Sequence, residues 1–230
     1  MPARIALVHA MRASMAPIGA AFARAWPDAH LVQLLDDALP ADLERAGGVD
    51  AAMQRRFVAL ARYAVDAGAE AVLFSCSAFG RAIDAARAAV AVPVMKPNEA
   101  MVAAAVAGGG PILLLATFAP TLDSMLPEIE AEATRQGRVV DVRVAHVPGA
   151  LAALQAGDAE RHDALIAEAA ARHGGGETLV ALAQFSMARA AGRVRAATAG
   201  TVLTTPDTAA AELQRRWSAH AAGFAPHVPR

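Results

Sequence analysis

The sequence predicts an α/β protein made of two similar parallel-sheet halves with a functional cleft between them. Three observations lead there. Short apolar runs of strand length alternate with longer segments of helical period along the whole chain, the pattern of a parallel sheet covered by helices on both faces. The runs are continuously apolar, as strands buried on both faces must be. The second half also rhymes with the first. Leu73-Phe74-Ser75-Cys76-Ser77 is echoed by Leu182-Ala183-Gln184-Phe185-Ser186, and Lys96-Pro97-Asn98 by Thr205-Pro206-Asp207. A chain of 230 residues is long enough for two units, each with its own core. Residues 1–97 together with 206–230 are predicted to form the first unit, and 98–205 the second.

In order, Ile5 to Ala10 is a buried strand and Ser14 to Trp26 a helix closed by Pro27. His30 to Leu35 is a second strand, followed by an acidic, proline-containing loop from Asp36 to Asp42. Asp50 to Ala67 carries a helical period (Met53, Phe57, Leu60, Ala61, Ala64) and ends at Gly68. The strand that starts at Ala71 leads into Cys76, then a helix from Arg81 to Ala89 and a short strand from Val92 to Met95. The pattern restarts with Asn98 capping a helix to Ala107. A strand from Pro111 to Ala116, a helix from Thr121 to Gln136 and a strand from Val139 to Val147 come next. Asp158 to His173 is a helix stopped by Gly174-Gly175-Gly176. Thr178 to Ala183 is a strand, Ser186 to Ala191 a short helix, and Val194 to Leu203 contains the last strand. Pro206 to Ala219 is an amphipathic closing helix, before a tail containing proline and histidine.

Composition narrows the function classes. The net charge is −1 with no basic stripe, so nothing favours nucleic acid or an anionic membrane as partner. No apolar stretch approaches the ~20 residues of a membrane span, and the apolar part of the N-terminus is too short for a signal peptide. One cysteine allows no internal disulfide and fits a reducing compartment. A cytoplasmic protein is expected. The histidines show no ligand spacing, and neither glycine triplet follows a strand as a dinucleotide fingerprint does, so neither metal nor cofactor is expected. Alanine-rich helical faces suit packing against a second copy, so a homodimer is a possible state.

Cys76 is the focal residue. It ends a buried strand and opens onto a helix, at the sheet edge where open α/β sheets bind ligands. A helix start there is expected to lower the thiol's pKa, whereas an ordinary buried cysteine would be inert. Ser75, Ser77 and Thr117 are candidate donors to a substrate carboxylate. Thr121 reads more simply as a helix cap. Arg12, after the first strand, either pairs with a carboxylate or is a solvated loop arginine. His9 is either a second acid or base or a histidine bonded to a neighbouring loop. Lys96 has no assigned role.

On Phe74-Ser75-Cys76-Ser77, on Leu182 to Ala188 and on the pattern of units, the chain resembles the aspartate/glutamate (hydantoin) racemase superfamily. The resemblance implies two flavodoxin-like halves, a cofactor-independent isomerase and a small carboxylate substrate. It further implies a pair of thiols, one per half, that flank the substrate's acidic carbon. This chain keeps the first, Cys76. Gln184, or in other alignments Phe185 or Ser186, stands where the second is expected, and none of these titrates near neutrality. Gln184 and Ser186 then form the wall opposite Cys76. The arylmalonate decarboxylase branch also has one thiol, but in the other half. Racemase-type proton transfer, decarboxylation, and cis–trans isomerisation through thiol addition all remain open. So does a non-catalytic binder of small carboxylates.

Overall fold

A computed structural model of the chain describes residues 2–176 and 178–223. The first half runs β1 (Arg4–His9), α1 (Met15–Ala25), β2 (His30–Leu35), α2 (Leu39–Ala46), α3 (Ala51–Asp66), β3 (Ala71–Phe74), α4 (Gly80–Ala88) and β4 (Val94–Met95). The chain continues through α5 (Glu99–Gly108), β5 (Ile112–Ala116), α6 (Pro120–Gln136), β6 (Val142–His146), α7 (Ala150–Gln155), α8 (Ala159–His173), β7 (Leu179–Leu182), α9 (Ala191–Ala197), β8 (Val202–Thr204) and α10 (Thr205–Gly223). Two separate four-stranded parallel sheets result, in the orders β2-β1-β3-β4 and β6-β5-β7-β8. This is the predicted α/β class with two parallel-sheet halves.

The inner strands β1, β3, β5 and β7 are almost wholly buried, which is why they read as unbroken apolar runs. The outer strands β2 and β6 are partly exposed and more mixed. Each sheet is covered on both faces. In the first, the α3 and α4 side holds Phe57, Phe74 and Phe79, with ring centroids 5.0 Å apart in both the Phe57–Phe74 and Phe57–Phe79 pairs. Such pairs add ~0.5–1.5 kcal/mol each beyond area burial, and they underlie the end of β3. On the other face α1 packs against α10 through Ile18, Phe22, Trp26, Ala209, Ala210 and Leu213. The C-terminal helix thus returns to the first sheet.

The two halves repeat in register. Val8 pairs with Phe74 and Leu115 with Leu182. The next amides bond alike, Ser75 N–H to Val8 O and Ala183 N–H to Leu115 O, both at 2.9 Å. Counting on from there, Cys76 and Gln184 are equivalent. Both are extended (φ −126°, ψ 116° and φ −132°, ψ 146°), and each is followed by a 3-10 turn, Ser77–Phe79 or Phe185–Ala190.

Several expectations need correction. The acidic stretch after β2 is not all loop: α2 begins at Leu39, because Pro40 in its first turn costs no helical hydrogen bond and Leu39 and Leu43 are both buried. Gly47, at φ 69°, ends that helix in the left-handed conformation. The strand expected from Val139 starts only at Val142, Val139 being fully solvated. Helix α7 was not expected. Val194 to Ala197 are helical, in α9. Helix α10 extends through Gly223, and the tail from residue 224 lies outside the described residues. Asn98 precedes α5, but its side chain makes no cap; its Nδ2 donates to Glu128 instead. Thr121 lies inside α6, whose N-cap is Ala119.

Candidate active site

In a sheet of order 2-1-3-4 the chain leaves in opposite directions between the first and third strands, so a crevice opens at their carboxyl ends. Both sheets have this order, and the segments just beyond β1, β3, β5 and β7 meet there. Cys76 and Ser77 come from the first sheet, Thr117 and Gln184 from the second. The Ser77 hydroxyl lies 3.4 Å from Thr121 Oγ1 and 3.5 Å from the carbonyl oxygen of Ala183. Both contacts are longer than a full hydroxyl hydrogen bond. Ser77 therefore reaches the other half without being committed to it.

Cys76 is half-buried and packs with Val49 and Phe118 against the apolar cluster of Phe57, Phe74 and Phe79. That environment pushes its thiol up to about 11, with only the backbone N–H of Ala78 acting the other way. The expectation of a lowered pKa is overturned. The apolar bed of the β3 end outweighs a turn that offers the sulfur one amide. At neutral pH Cys76 is a protonated thiol.

Ser75 faces the opposite way, toward His9. His9 is fully buried, its Nδ1 2.8 Å from Ser75 Oγ and its Nε2 2.6 Å from Gln33 Oε1. Burial lowers its pKa, against the bond to Gln33. Gln33 was not singled out from the sequence. Its one visible signal is that it interrupts the otherwise apolar run of β2.

Gln184 is anchored by its oxygen. Oε1 accepts from Thr117 N–H at 2.6 Å, Thr117 Oγ1–H at 3.0 Å and Phe118 N–H at 3.3 Å. Thr117 and Ser186 are both buried, Ser186 within the 3-10 turn after Gln184. Arg12 does not join this group; it lies on the surface, 3.3 Å from Asp37.

A cleft of about 940 Å³ opens beside these residues, lined in part by Val49, Ala78, Thr117, Phe118, Ser124 and His146. Lys96 and Glu128 also line it. Lys96 Nζ stands 2.8 Å from Asp84 and 3.1 Å from Glu128. The salt bridge to Glu128 ties the segment after β4 to α6, and burial raises the Glu128 pKa. Sequence inspection missed Asp84, Glu128 and Phe118, since spacing along the chain gives no sign of contacts between helices of different units. Among the described residues no group of three or more His, Cys, Asp or Glu is placed to hold a metal ion. Nor is any helix among them long and apolar enough to cross a membrane.

By sequence, no family model and no curated protein matches the chain. By structure it matches several solved proteins over nearly its whole length. A glutamate racemase isoform from Bacillus anthracis aligns with TM-score 0.73 and 14% identity, over 93% of this chain and 80% of that one. Allantoin racemase from Klebsiella pneumoniae gives 0.63 and 19%, over 97% and 89%. An arylmalonate decarboxylase gives 0.55 and 16%, over 93% and 92%. The protein therefore has the two-unit α/β fold of these racemases and of the decarboxylase, and it carries a single cysteine.

Proposed function

We propose that the protein is a cofactor-independent enzyme that transfers a proton at the carbon next to the carboxylate of a small acid, with Cys76 as the proton-carrying group. What supports this is the strand-end cleft lined from both pseudo-equivalent halves, with the thiol of Cys76 set behind its lining residues Val49, Ala78 and Phe118. Its fold neighbours include racemases of amino acids and of allantoin, and a decarboxylase of arylmalonates.

One observation favours one kind of proton transfer over another. Sheet register makes Gln184 the counterpart of Cys76, and an amide neither gives nor takes a proton at neutral pH. Two-base racemisation needs a titrating group on each face of the carbon. One-faced chemistry does not, and a thiol held in its protonated form is suited to the donor role. The step we favour protonates an enediolate formed when a C–CO2⁻ bond breaks. The bonding pair passes into the remaining carboxylate, the thiol proton goes to carbon, and solvent reprotonates the thiolate. Ser77 O–H, and backbone N–H groups at the strand ends, would stabilise the enediolate, a well-placed donor being worth ~3–4 kcal/mol. Units 1–97 with 206–230, and 98–205, would close on the substrate from either side.

The rival reading is a non-catalytic carboxylate-binding protein: with the Thr117 and Phe118 N–H groups held by Gln184, fewer free donors are left to stabilise an enediolate. The deciding experiment is incubation in D2O with a panel of amino acids, malonates and maleate, with NMR as the readout. Deuterium at the α-carbon, loss of CO2 or double-bond isomerisation, abolished in Cys76→Ala, supports the enzyme. Binding without any of these in the wild type supports the binder.

A further inference from the structure

Gln184 is the most specific departure at the strand ends. Its orientation is fixed chemically, because the backbone N–H groups of Thr117 and Phe118 can only donate and only the amide oxygen can accept. Three donors converge on that one oxygen, at 2.6, 3.0 and 3.3 Å. Two backbone amides and a hydroxyl aimed at one point also fit one oxygen of a carboxylate. Thr117 and Phe118 both line the large cleft, while Gln184 does not, so the cleft is the side from which a ligand would approach the donors that Gln184 now holds.

We infer that Gln184 is an internal competitor for this donor cradle, so that only a ligand whose hydrogen bonds to the cradle outweigh those of a neutral amide, an anionic carboxylate above all, binds measurably. The inference rests on the reading of the cleft as a carboxylate site and adds what selects the ligand. Hydrogen bonds to a carboxylate are roughly twice as strong as those to a neutral acceptor. A carboxylate can therefore displace the Gln184 oxygen at a net gain. A primary amide or ester only exchanges one neutral acceptor for another, with nothing to offset its lost hydration, whereas a carboxylate loses more hydration but sets charge-assisted bonds against that loss. The side chain thus raises the threshold for every ligand, and only charged ones clear it.

The test uses propionate and propionamide, matched in size, titrated into the full chain while the amide NMR signals of Thr117 and Phe118 are monitored. In wild type, propionate is expected to shift both signals and propionamide neither. In Gln184→Ala, propionate should bind roughly tenfold tighter or more, as expected when several competing hydrogen bonds are removed, and propionamide should become a detectable ligand. Gln184→Glu tethers a carboxylate in the cradle and should weaken propionate below the wild type. It changes little in size, so it keeps the question open to test should the alanine variant fold poorly. If propionate binds wild type and Gln184→Ala equally, or binds without moving the two amides, the competitor role is overturned while the carboxylate reading stands. If propionate binds neither protein, both are overturned.

Discussion

Ser75 Oγ lies 2.8 Å from Nδ1 of the buried His9, one residue before the only thiol. The other ring nitrogen is 2.6 Å from Gln33 Oε1, an atom that can only accept. Nε2 therefore carries the hydrogen, Nδ1 a lone pair, and Ser75 O–H donates to it. The serine is turned away from the cleft and holds the strand end that presents Cys76. His9 is a positioning group in this arrangement.

The pH dependence of that arrangement has a definite sign. Burial depresses the His9 pKa below its ordinary 6.5. A base with a depressed folded-state pKa contributes stability that is fully present above the unfolded value and is lost as pH falls through the folded one. Urea unfolding of the wild type should therefore lose stability from pH 7.5 to 5.5. His9→Gln should lose less over the same interval, and should start about 1–3 kcal/mol lower because Ser75 and Gln33 lose their partner. Parallel pH curves for the two proteins would refute the assignment.

Cys76 gives a second prediction. With its thiol pushed up to about 11, only about one molecule in a thousand is a thiolate at pH 8. Alkylation by iodoacetamide should be slow at pH 7.5 and still rising at pH 10. A plateau before pH 9 would show a thiol activated by its helix start, and would return Cys76 to the role of base.

The strands and the position of Cys76 were legible in the sequence because they rest on local patterns. Unbroken apolar runs mark doubly covered strands, and the abrupt change at Ser75-Cys76-Ser77 marks the sheet edge. Helix α2 was misread because Pro40 looks like a breaker in a linear scan, although a proline in the first turn is compatible with a helix. Asn98 has the side chain of a cap and sits at a helix start, yet its amide is drawn to Glu128 on α6. The Cys76 environment failed for the same reason. The apolar bed joins the neighbouring Phe74 and Phe79 to Phe57, on another element, and no rule of spacing along the chain reports that packing.

Lys96 yields a third prediction. It bridges Asp84 of α4 and Glu128 of α6, so Lys96→Met leaves Glu128 charged in a largely buried place. A loss of roughly 2–4 kcal/mol is expected at pH 7, somewhat below or near the ~3–5 kcal/mol typical of breaking a buried pair. Burial already raises the Glu128 pKa, and removing the lysine raises it further. A carboxyl with a raised folded-state pKa contributes stability below its unfolded value and loses it as pH rises through the folded one. The penalty of Lys96→Met should therefore shrink as pH falls toward 4.5, the ordinary value for this carboxyl. Adding Glu128→Gln should recover part of the loss at pH 7. A penalty independent of pH would show that Lys96 acts through packing alone.

Gly80 offers a test in which the sign itself reverses. It opens α4 with helical angles, φ −47° and ψ −50°, so its backbone does not require glycine. By propensity alone, Gly80→Ala should stabilise by up to about 1 kcal/mol. A Cβ there, however, would lie 2.9 Å from Glu128 Oε1 and 3.1 Å from Ser124 Oγ. Glu128 cannot simply swing away, because Lys96 and Asn98 both hold its carboxylate. Gly80→Ala is therefore expected to lower the thermal midpoint in the wild-type background and to raise it in a Glu128→Ala background. The sign reverses only if the start of α4, four residues beyond Cys76, is packed directly against α6 of the other sheet's unit. A stabilising Gly80→Ala in both backgrounds would mean that the two units stand further apart at this point, with the thiol correspondingly more open to water.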